Sequence, residues 1–451
     1  MSYQSAVERM YALGHELAGT PSHKFDLAHM RTLLQALESP EQRFPSVLIA
    51  GTNGKGSTAA TLAAILQTSR LRTGLYTSPH LVRINERIQV SGEQISDDDF
   101  VLVHDLVERT AERLVAEGDL PWHPSFFEML TAMAFEHFSR RKVDIAVLEV
   151  GMGGRLDATN VVEPLLSVIT DISLDHEKFL GTTVAQIARE KSGILRAGKP
   201  AVVLPQQPEA NDVIGHAILD LGAIGVNAAA YVPPVSPAAE PQLAQRMVGG
   251  GTQFVSRYPL AVMGKEIQVE TPLLGRHQLR NVALAIAAAD ELRKQDFPIH
   301  ADSVERGIRE THWPGRFQVV ARAGQPDIVL DVAHNPAGAW ALRSTLSAAY
   351  PEVPLTLVFG AMRDKALASM TEILFPLAER VVLTKADNPR SATPDEIRAA
   401  AQRTAADMED LTEVERALAR ARELARPGEI IVVTGSIYVV GEALRLLAAA
   451  A

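Results

Sequence analysis

Cysteine is absent from the 451-residue sequence. Its absence excludes disulfide bonds, thiolate metal ligands and covalent thioester catalysis, and it agrees with a reducing compartment. The sequence also has no apolar run of the 18 or more residues that would span a bilayer. Residues 1–14 have neither the basic stretch nor the continuous apolar stretch of a secretory signal. We therefore expect a cytoplasmic protein that makes no use of a membrane.

Positive charge is also in deficit. The chain has 44 Lys and Arg against 54 Asp and Glu, which gives a formal net charge of −10. This balance disfavours a broad surface that follows nucleic-acid phosphates. Anionic substrates would therefore need local basic pockets. At roughly 150 residues per domain, the length predicts two or three domains with substantial cores.

Short apolar segments alternate with longer helical ones, which predicts βαβ units and mainly parallel sheets. We predict an α/β fold with an N-terminal phosphate-loop-type domain at 1–312 and a smaller, Rossmann-like domain at 313–451. The boundary lies at the breaker pair in Trp313-Pro314-Gly315-Arg316. Residues 228–251, rich in Ala, Pro and Gly, are expected to form a loop-rich excursion. The predicted strands are 46–50, 72–77, 143–150, 165–170, 200–204, 327–331, 355–359, 380–383 and 429–434. The predicted helices include 97–117, 125–140, 183–195 and 281–293.

A glycine-rich segment follows the first predicted strand and precedes a helical segment rich in Ala and Leu. It consists of Gly51, Thr52, Asn53, Gly54, Lys55, Gly56 and Ser57. In this setting backbone N–H groups and a helix N-terminus surround phosphate oxygens, and a lysine neutralises their charge. The spacing departs from the common G-x-x-x-x-G-K-[ST] pattern. The segment predicts a nucleotide phosphate site, and the alternative is an ordinary glycine-rich turn with an exposed lysine.

Polar residues follow other predicted strands at the edge where parallel strands end and ligands bind. Ser78, Glu149 and His176 lie at three such ends. Glu149 closes an otherwise apolar strand, where a carboxylate needs a compensating cation, and Mg²⁺ bound with ATP phosphates would supply it. The alternatives are a structural ion pair between Glu149 and Arg155, and an ordinary loop position for His176.

Lys191 shares one face of its predicted helix with Val184, Ile187 and Ala188. A lysine on the core side of a helix usually extends its ammonium group toward an edge. The other interpretation is that burial lowers its pKa, so that the amine takes up CO₂ as a carbamate. The carbamate oxygens would then bind a second Mg²⁺.

With these residues, the chain resembles the folylpolyglutamate synthase and dihydrofolate synthase family, within the Mur-type amide ligases. The resemblance extends over most of the 451 residues and depends on several separate motifs. In sequence order they are GTNGKGS from Gly51, TSPHL from Thr77, LEVGMGGRLDATN from Leu148, DHEKFLGTTVAQIAREKSGI from Asp175, WPGRFQ from Trp313, DVAHNP from Asp331 and TGSIYVVG from Thr434.

This resemblance implies an ATP-dependent ligase that forms an amide. A carboxylate of a folate or of dihydropteroate would take the γ-phosphate, and the amino group of L-glutamate would capture the acyl phosphate. The implied cofactors are ATP and Mg²⁺ at two sites, with room for a monovalent cation. The implied partners are these small molecules alone, without nucleic acid or membrane, for a monomeric enzyme.

The resemblance also assigns roles to single residues. Ser78 and Glu149 match ligands of the first Mg²⁺, whereas His176 and a carbamylated Lys191 match ligands of the second. The residues matched to ATP, to the incoming glutamate or to both are Lys55, Asn281, Arg316, Asp331, His334 and Ser436. Phe127 and Asp157 match the pterin side. Lys55, Lys191, His176 and His334 are the predicted catalytic residues.

Other functions compete with this one. A phosphate-loop switch or motor would explain Lys55 and Glu149, but it gives no role to a core-facing Lys191. A purely binding or structural protein would keep the fold without turnover of ATP. A ligase that adds amino acids to cell-wall precursors is the nearest alternative in chemistry.

Overall fold

The computed structural model describes residues 1–14, 27–234, 242–248, 251–321, 324–404 and 406–449. The described residues contain sheets of eight, three and six strands. The two larger sheets are mainly parallel and carry helices, which confirms the α/β class.

The eight-stranded sheet has the order β4-β3-β2-β5-β1-β6-β7-β8, and only its β3 and β4 pairings are antiparallel. Its strands are β1 (Ser46–Ala50), β2 (Thr73–Tyr76), β3 (Ile88–Val90), β4 (Glu93–Gln94), β5 (Ile145–Glu149), β6 (Leu166–Ile169), β7 (Pro200–Val203) and β8 (Ile224–Asn227). The central strands β1, β5 and β6 are buried along their whole length. Parallel strands covered on both faces are apolar throughout, which is the pattern that these segments have.

Helices cover both faces of this sheet. They are α1 (Tyr3–Ala12), α2 (Leu27–Ala36), α3 (Lys55–Thr68), α4 (Asp97–Glu117), α5 (Phe126–Arg141), α6 (Glu177–Leu180), α7 (Val184–Ser192), α8 (Pro208–Leu221), α9 (Arg276–Arg293) and α10 (Ala301–Glu310). Ser96 caps α4 by accepting a hydrogen bond from the Asp99 N–H. The predicted helix 281–293 begins earlier, at Arg276, and the predicted helix 183–195 ends at Ser192.

The prediction of a loop-rich excursion at 228–251 agrees with the turn at 228–234 but is wrong for 242–248, which form a strand, and for Gly251, where the next strand begins. A 3₁₀ turn occupies Ala228–Tyr231, and an antiparallel sheet contains β9 (Gln242–Val248), β10 (Gly251–Val262) and β11 (Lys265–Thr271). The Ala, Pro and Gly residues on either side of β9 favour turns, and for that reason the sequence did not predict this strand. Residues 235–241 and 249–250 of the predicted excursion lie outside the described residues.

The six-stranded sheet follows Trp313 in the chain and has the order β12-β13-β17-β14-β15-β16. Its strands are β12 (Gln318–Val320), β13 (Asp327–Leu330), β14 (Leu355–Phe359), β15 (Arg380–Lys385), β16 (Met408–Glu413) and β17 (Ile430–Thr434). Its helices are α11 (Pro336–Ala349), α12 (Leu367–Leu374), α13 (Pro394–Ala400), α14 (Val414–Leu424) and α15 (Ile437–Ala449). All pairings except that of β12 with β13 are parallel.

Each large sheet has an apolar core on both of its faces. Leu48 and Val47, neighbours on β1, belong to the two different cores of the first sheet, and Val432 and Val433 on β17 do the same in the second. This alternation follows from side chains that point to opposite faces along a strand. No helix among the described residues has the length and apolarity to cross a bilayer.

Candidate active site

The ends of parallel strands from both large sheets open into one cavity of about 1050 Å³. Lys55, Ser78 and Glu149 reach it from the first sheet, and Asp331 and His334 reach it from the second. Every residue that the sequence predicted for the site lines this cavity. The others are Gly51, Thr52, Asn53, Gly54, Gly56, Ser57, Phe127, Asp157, His176, Lys191, Asn281, Arg316 and Ser436.

The glycine-rich segment is held by the strand end next to it. The backbone N–H groups of Thr52 and Asn53 donate to the Asp171 carbonyl at 2.9 and 3.1 Å. Gly54 has a φ of 91°, and a Cβ there would lie 2.2 Å from Asn281 Oδ1. Only glycine fits this position, so the turn is pre-formed where α3 begins.

Lys55 Nζ donates to the carbonyls of Gly51 and Thr52 at 3.2 and 3.3 Å. The ammonium group therefore lies against the turn that is predicted to bind the phosphates. Gly56 lies against Trp313, since a Cβ at Gly56 would lie 2.5 Å from Trp313 Cζ2. Neither the boundary position of Trp313 nor the WPGRFQ motif that it opens predicts this contact.

Glu149 is a buried carboxylate with only 4 % of its surface exposed. Burial raises its pKa to about 7, although the charge of Lys55 and the Ser78 N–H, which donates at 3.1 Å, act in the opposite direction. The ion pair with Arg155 does not form, because Arg155 binds Glu190 at 2.9 Å. A cation in the cavity would compensate the charge that Glu149 carries when ionised.

Lys191 lies on the buried face of α7, as its spacing predicted, with 4 % of its surface exposed. Its Nζ donates to the Gly51 carbonyl at 2.7 Å. Burial and the charge of Lys55 lower the pKa of Lys191 to about 7, so a large fraction of the amine is neutral near that pH. Burial also lowers the pKa of His176 to about 4, and its imidazole is then neutral, the form that binds metals.

The donor set fits Mg²⁺ bound with nucleotide phosphates. Within the described ranges, no three His, Cys, Asp or Glu side chains cluster as a metal cage. Mg²⁺ in nucleotide sites uses one or two protein oxygens and completes its shell with phosphate and water. A buried Glu149 beside Ser78 matches that requirement.

The second sheet contributes Asp331 and His334. The carboxylate of Asp331 accepts hydrogen bonds from the N–H groups of Phe317 and Ala333, both at 2.9 Å. His334 Nδ1 lies 3.0 Å from the Val332 carbonyl, which can only accept, so the ring carries a hydrogen on Nδ1. In the neutral ring, Nε2 is then left as the acceptor.

The predicted pterin side is formed by Phe127 and Asp157. The Phe127 ring packs on Gly151, where a Cβ would lie 2.5 Å from Phe127 Cζ. The Asp157 carboxylate accepts from the Met152 and Thr159 N–H groups at 2.9 and 3.0 Å, and this holds the connecting loop in place. Ser436 Oγ accepts from the Val439 N–H at 3.2 Å at the start of α15.

Several residues of the cavity were missed from the sequence. Arg280 binds Asp171 with both Nε and Nη2, and the shortest of these distances is 2.6 Å. Because the Asp171 carbonyl accepts the hydrogen bonds of the phosphate loop, Arg280 supports that loop through Asp171. Asn335 Nδ2 donates to Asn53 Oδ1 at 2.9 Å, and this contact joins the first unit, which contains the eight-stranded sheet before Trp313, to the second unit, which contains the six-stranded sheet after it. The available signals were that Asp171 follows a predicted strand and that Asn335 lies within the DVAHNP motif.

Comparison with known proteins adds to this geometry. The Mur ligase middle domain matches residues 123–289, and the Mur ligase glutamate ligase domain matches residues 315–437. The chain is 34% identical over 398 residues to folylpolyglutamate synthase of Lacticaseibacillus casei, with 88% of each protein covered. It is 33% identical over 421 residues to dihydrofolate synthase/folylpolyglutamate synthase of Bacillus subtilis, covering 92% of this chain and 93% of the relative.

A longer relative is the probable bifunctional folylpolyglutamate synthase/dihydropteroate synthase of Haloferax volcanii, 38% identical over 420 residues. The chain spans about half of that relative's length, 47%. Among solved structures, Mycobacterium tuberculosis folylpolyglutamate synthase complexed with ADP and AMPPCP is 31% identical, with a TM-score of 0.84 and 98% of each chain covered. A folylpolyglutamate synthase complex with AMPPCP and folate is 30% identical, with a TM-score of 0.77, covering 99% of this chain and 100% of that one.

Proposed function

Because the chain belongs to the folylpolyglutamate synthase and dihydrofolate synthase family of Mur ligases, we propose that its cleft adds L-glutamate to a folate, to dihydropteroate or to both. ATP drives the reaction by converting the substrate carboxylate into an acyl phosphate. The observation that carries the proposal is the shared cavity: the phosphate loop and the second sheet's Asp331 and His334 line the same space. A ligase needs the activated acid and the incoming amine in one place.

The phosphate loop would bind and orient ATP. Its glycines leave the space that a Cβ would fill, and Lys55 brings a positive charge to the turn. Asn281, packed against Gly54, and Arg316, next to Asp331 in the cleft, would hold the rest of the nucleotide. Positioning and charge neutralisation are the main catalytic contributions in phosphoryl transfer.

Two Mg²⁺ positions fit the chain's own residues. Ser78 and Glu149 would hold the first ion, whereas His176 and a carbamate on Lys191 would hold the second. The bound metal would neutralise phosphate charge during transfer. The neutral imidazole of His176 and the depressed pKa of Lys191 both support this assignment.

The second unit would receive glutamate. His334 would hold the incoming amino group through Nε2, since Nδ1 is used by the Val332 carbonyl. Asp331 would contact the nucleotide and Ser436 the glutamate. On the other side of the cavity, Phe127 and Asp157 would contact the pterin. The closed cleft would exclude water from the acyl phosphate.

We further propose that residues 1–312 and 313–451 are the two domains, and that one chain works alone in the cytoplasm. A single chain supplies both sides of the cleft, so the site needs no second copy.

The test compares phosphate release and amide formation for dihydropteroate, tetrahydrofolate and a UDP-muramoyl substrate, each with ATP, Mg²⁺ and L-glutamate. We expect release with one or both pterin substrates and none with the UDP-linked acid. Turnover with the UDP-linked acid alone would assign the chain to cell-wall chemistry. Release of phosphate without amide would contradict a ligase.

A further inference from the structure

Helix α2 connects the two elements that carry the pterin-side residues. It packs against α5, whose first turn contains Phe127, and against the 3₁₀ turn Ala158–Val161, which Asp157 caps. Leu27 and Met30 of α2 also line the cavity. The position of α2 therefore affects both Phe127 and Asp157.

His29 is the polar exception on the buried face of this helix. Its buried neighbours are Met30, Leu33 and Leu34, whereas His29 itself is only 6 % exposed. Its Nδ1 lies 3.0 Å from Glu128 Oε1, and its Nε2 lies 3.0 Å from the Trp122 carbonyl oxygen. The ring also stacks on Trp122, with centroids 5.5 Å apart and planes 22° apart.

Both nitrogens of His29 therefore face acceptors. A carbonyl oxygen can only accept, and an ionised carboxylate can only accept, so each ring nitrogen must carry a hydrogen. An imidazole with two N–H groups is an imidazolium. The His29 and Glu128 side chains thus form a buried ion pair whose remaining hydrogen bonds are also made.

Glu128 in turn determines where α5 begins. Its Oε2 accepts from the Ser125 N–H at 2.8 Å and from Ser125 Oγ at 2.7 Å, which forms a capping box. Burial alone would raise the pKa of Glu128, but His29 and Ser125 outweigh burial and lower it. Phe127 lies directly before Glu128 and packs tightly on Gly151, so a small shift of α5 would displace its ring.

We propose that the His29 and Glu128 ion pair is a positioning pair for recognition of the pterin substrate. The pair links α2 to the first turn of α5 and so fixes the position of the Phe127 ring in the cavity wall. The inference rests on the proposed function, because it concerns the folate or dihydropteroate side of that same site. Removing one partner leaves the charge of the other buried and uncompensated. We expect this change to displace Phe127 and the cavity wall around it and to leave the ATP side of the cavity unchanged.

The experiment uses the full chain and the variants His29→Gln, Glu128→Gln and the double variant. We expect each single variant to raise the KM for dihydropteroate or tetrahydrofolate about tenfold, the effect of losing one hydrogen bond to a charged group. The KM for ATP should stay within about twofold. The double variant should be no worse than either single one, because partners in one pair are not additive.

His137→Gln is the matched control. His137 is a buried histidine on the same helix α5 but does not line the cavity, so neither KM should change. Circular dichroism and thermal unfolding identify variants that fail to fold. If His29→Gln does not fold, His29→Asn makes the same test, because His29 does not line the cavity whereas Glu128 does.

A merely structural role would lower kcat or the thermal midpoint and leave the KM for the pterin substrate unchanged, and that result would overturn the inference. An equal rise in both KM values would do so too. A wild-type enzyme without activity on either pterin would instead reject the proposed function, and this inference with it.

Discussion

Lys365 Nζ lies 2.8 Å from Asp175 Oδ1 and joins the loop after β14 to the loop before α6. Both side chains are almost fully buried. Burial alone would raise the pKa of Asp175, but His176, Lys365 and His334 surround it and lower that pKa instead. Asp175 is therefore a charged contact between the two units, next to predicted metal-binding and glutamate-binding residues.

Loss of this contact should open the cleft to water. In Lys365→Met we expect more phosphate released than amide formed, because water captures the acyl phosphate, and a KM for glutamate raised by about tenfold. The measurement is the ratio of phosphate to amide under saturating ATP. Arg363→Met is the control, since Arg363 is exposed and pairs with Glu396 within the second unit. An unchanged ratio in Lys365→Met would contradict a closing role.

The sequence predicted the strand positions at the site well because the buried parallel strands are apolar along their whole length. Strands 46–50 and 355–359 coincide with β1 and β14. The sequence did not predict the antiparallel sheet of β9, β10 and β11, and the Pro- and Gly-rich segments on either side of β9 favoured a loop there.

The sequence placed the ends of distant strands at one sheet edge, but it could not predict which individual side chains contact each other there. Lys365 and Asp175 are 190 positions apart, and Arg280 and Asp171 are 109 apart. Only the topology brings them together. Lys191 was found because its helical spacing placed it on the core side of α7, and no partner had to be known.

Lys55→Ala should abolish turnover while the fold stays intact. Among the described residues, Lys55 Nζ donates hydrogen bonds only to the carbonyls of its own turn, so its loss removes charge from the phosphates and few structural hydrogen bonds. We expect kcat to fall about a hundredfold or more. Lys199→Ala, at an exposed position, should behave as wild type. Near-normal phosphate release by well-folded Lys55→Ala would reject the phosphate-loop assignment.

Lys191 should respond to CO₂ in a pH-dependent way. Burial lowers its pKa to about 7, so the neutral amine that reacts with CO₂ predominates above that pH and the inert ammonium predominates below it. Added bicarbonate should therefore activate CO₂-depleted enzyme more strongly at about pH 8 than at about pH 6. Activation that is equal or larger at the lower pH would contradict the carbamate.

A complementary test replaces the side chain. Lys191→Ala should lose activity, and short carboxylates such as acetate or formate should restore part of it by supplying the missing oxygen ligand. Full activity of Lys191→Ala without additives would show that no carbamate is needed. A denaturing mass spectrum does not serve as the readout, because the carbamate is labile.

His334→Ala should separate glutamate use from nucleotide binding. His334 lies on the second unit, with Nδ1 held by the Val332 carbonyl and Nε2 3.9 Å from Asp175 Oδ2 across the cleft. The phosphate loop and the predicted metal ligands all belong to the first unit. We therefore expect the KM for glutamate to rise and amide formation to fall about ten- to a hundredfold, as for the loss of a hydrogen bond to a charged amine. The Kd of ATP, measured by direct titration, should change by less than about twofold. His334→Gln, which keeps a polar side chain of similar size, should recover part of the glutamate use.

If the affinity for ATP collapsed while the KM for glutamate stayed unchanged, His334 would belong to the nucleotide site, and the division of roles between the two units would be wrong.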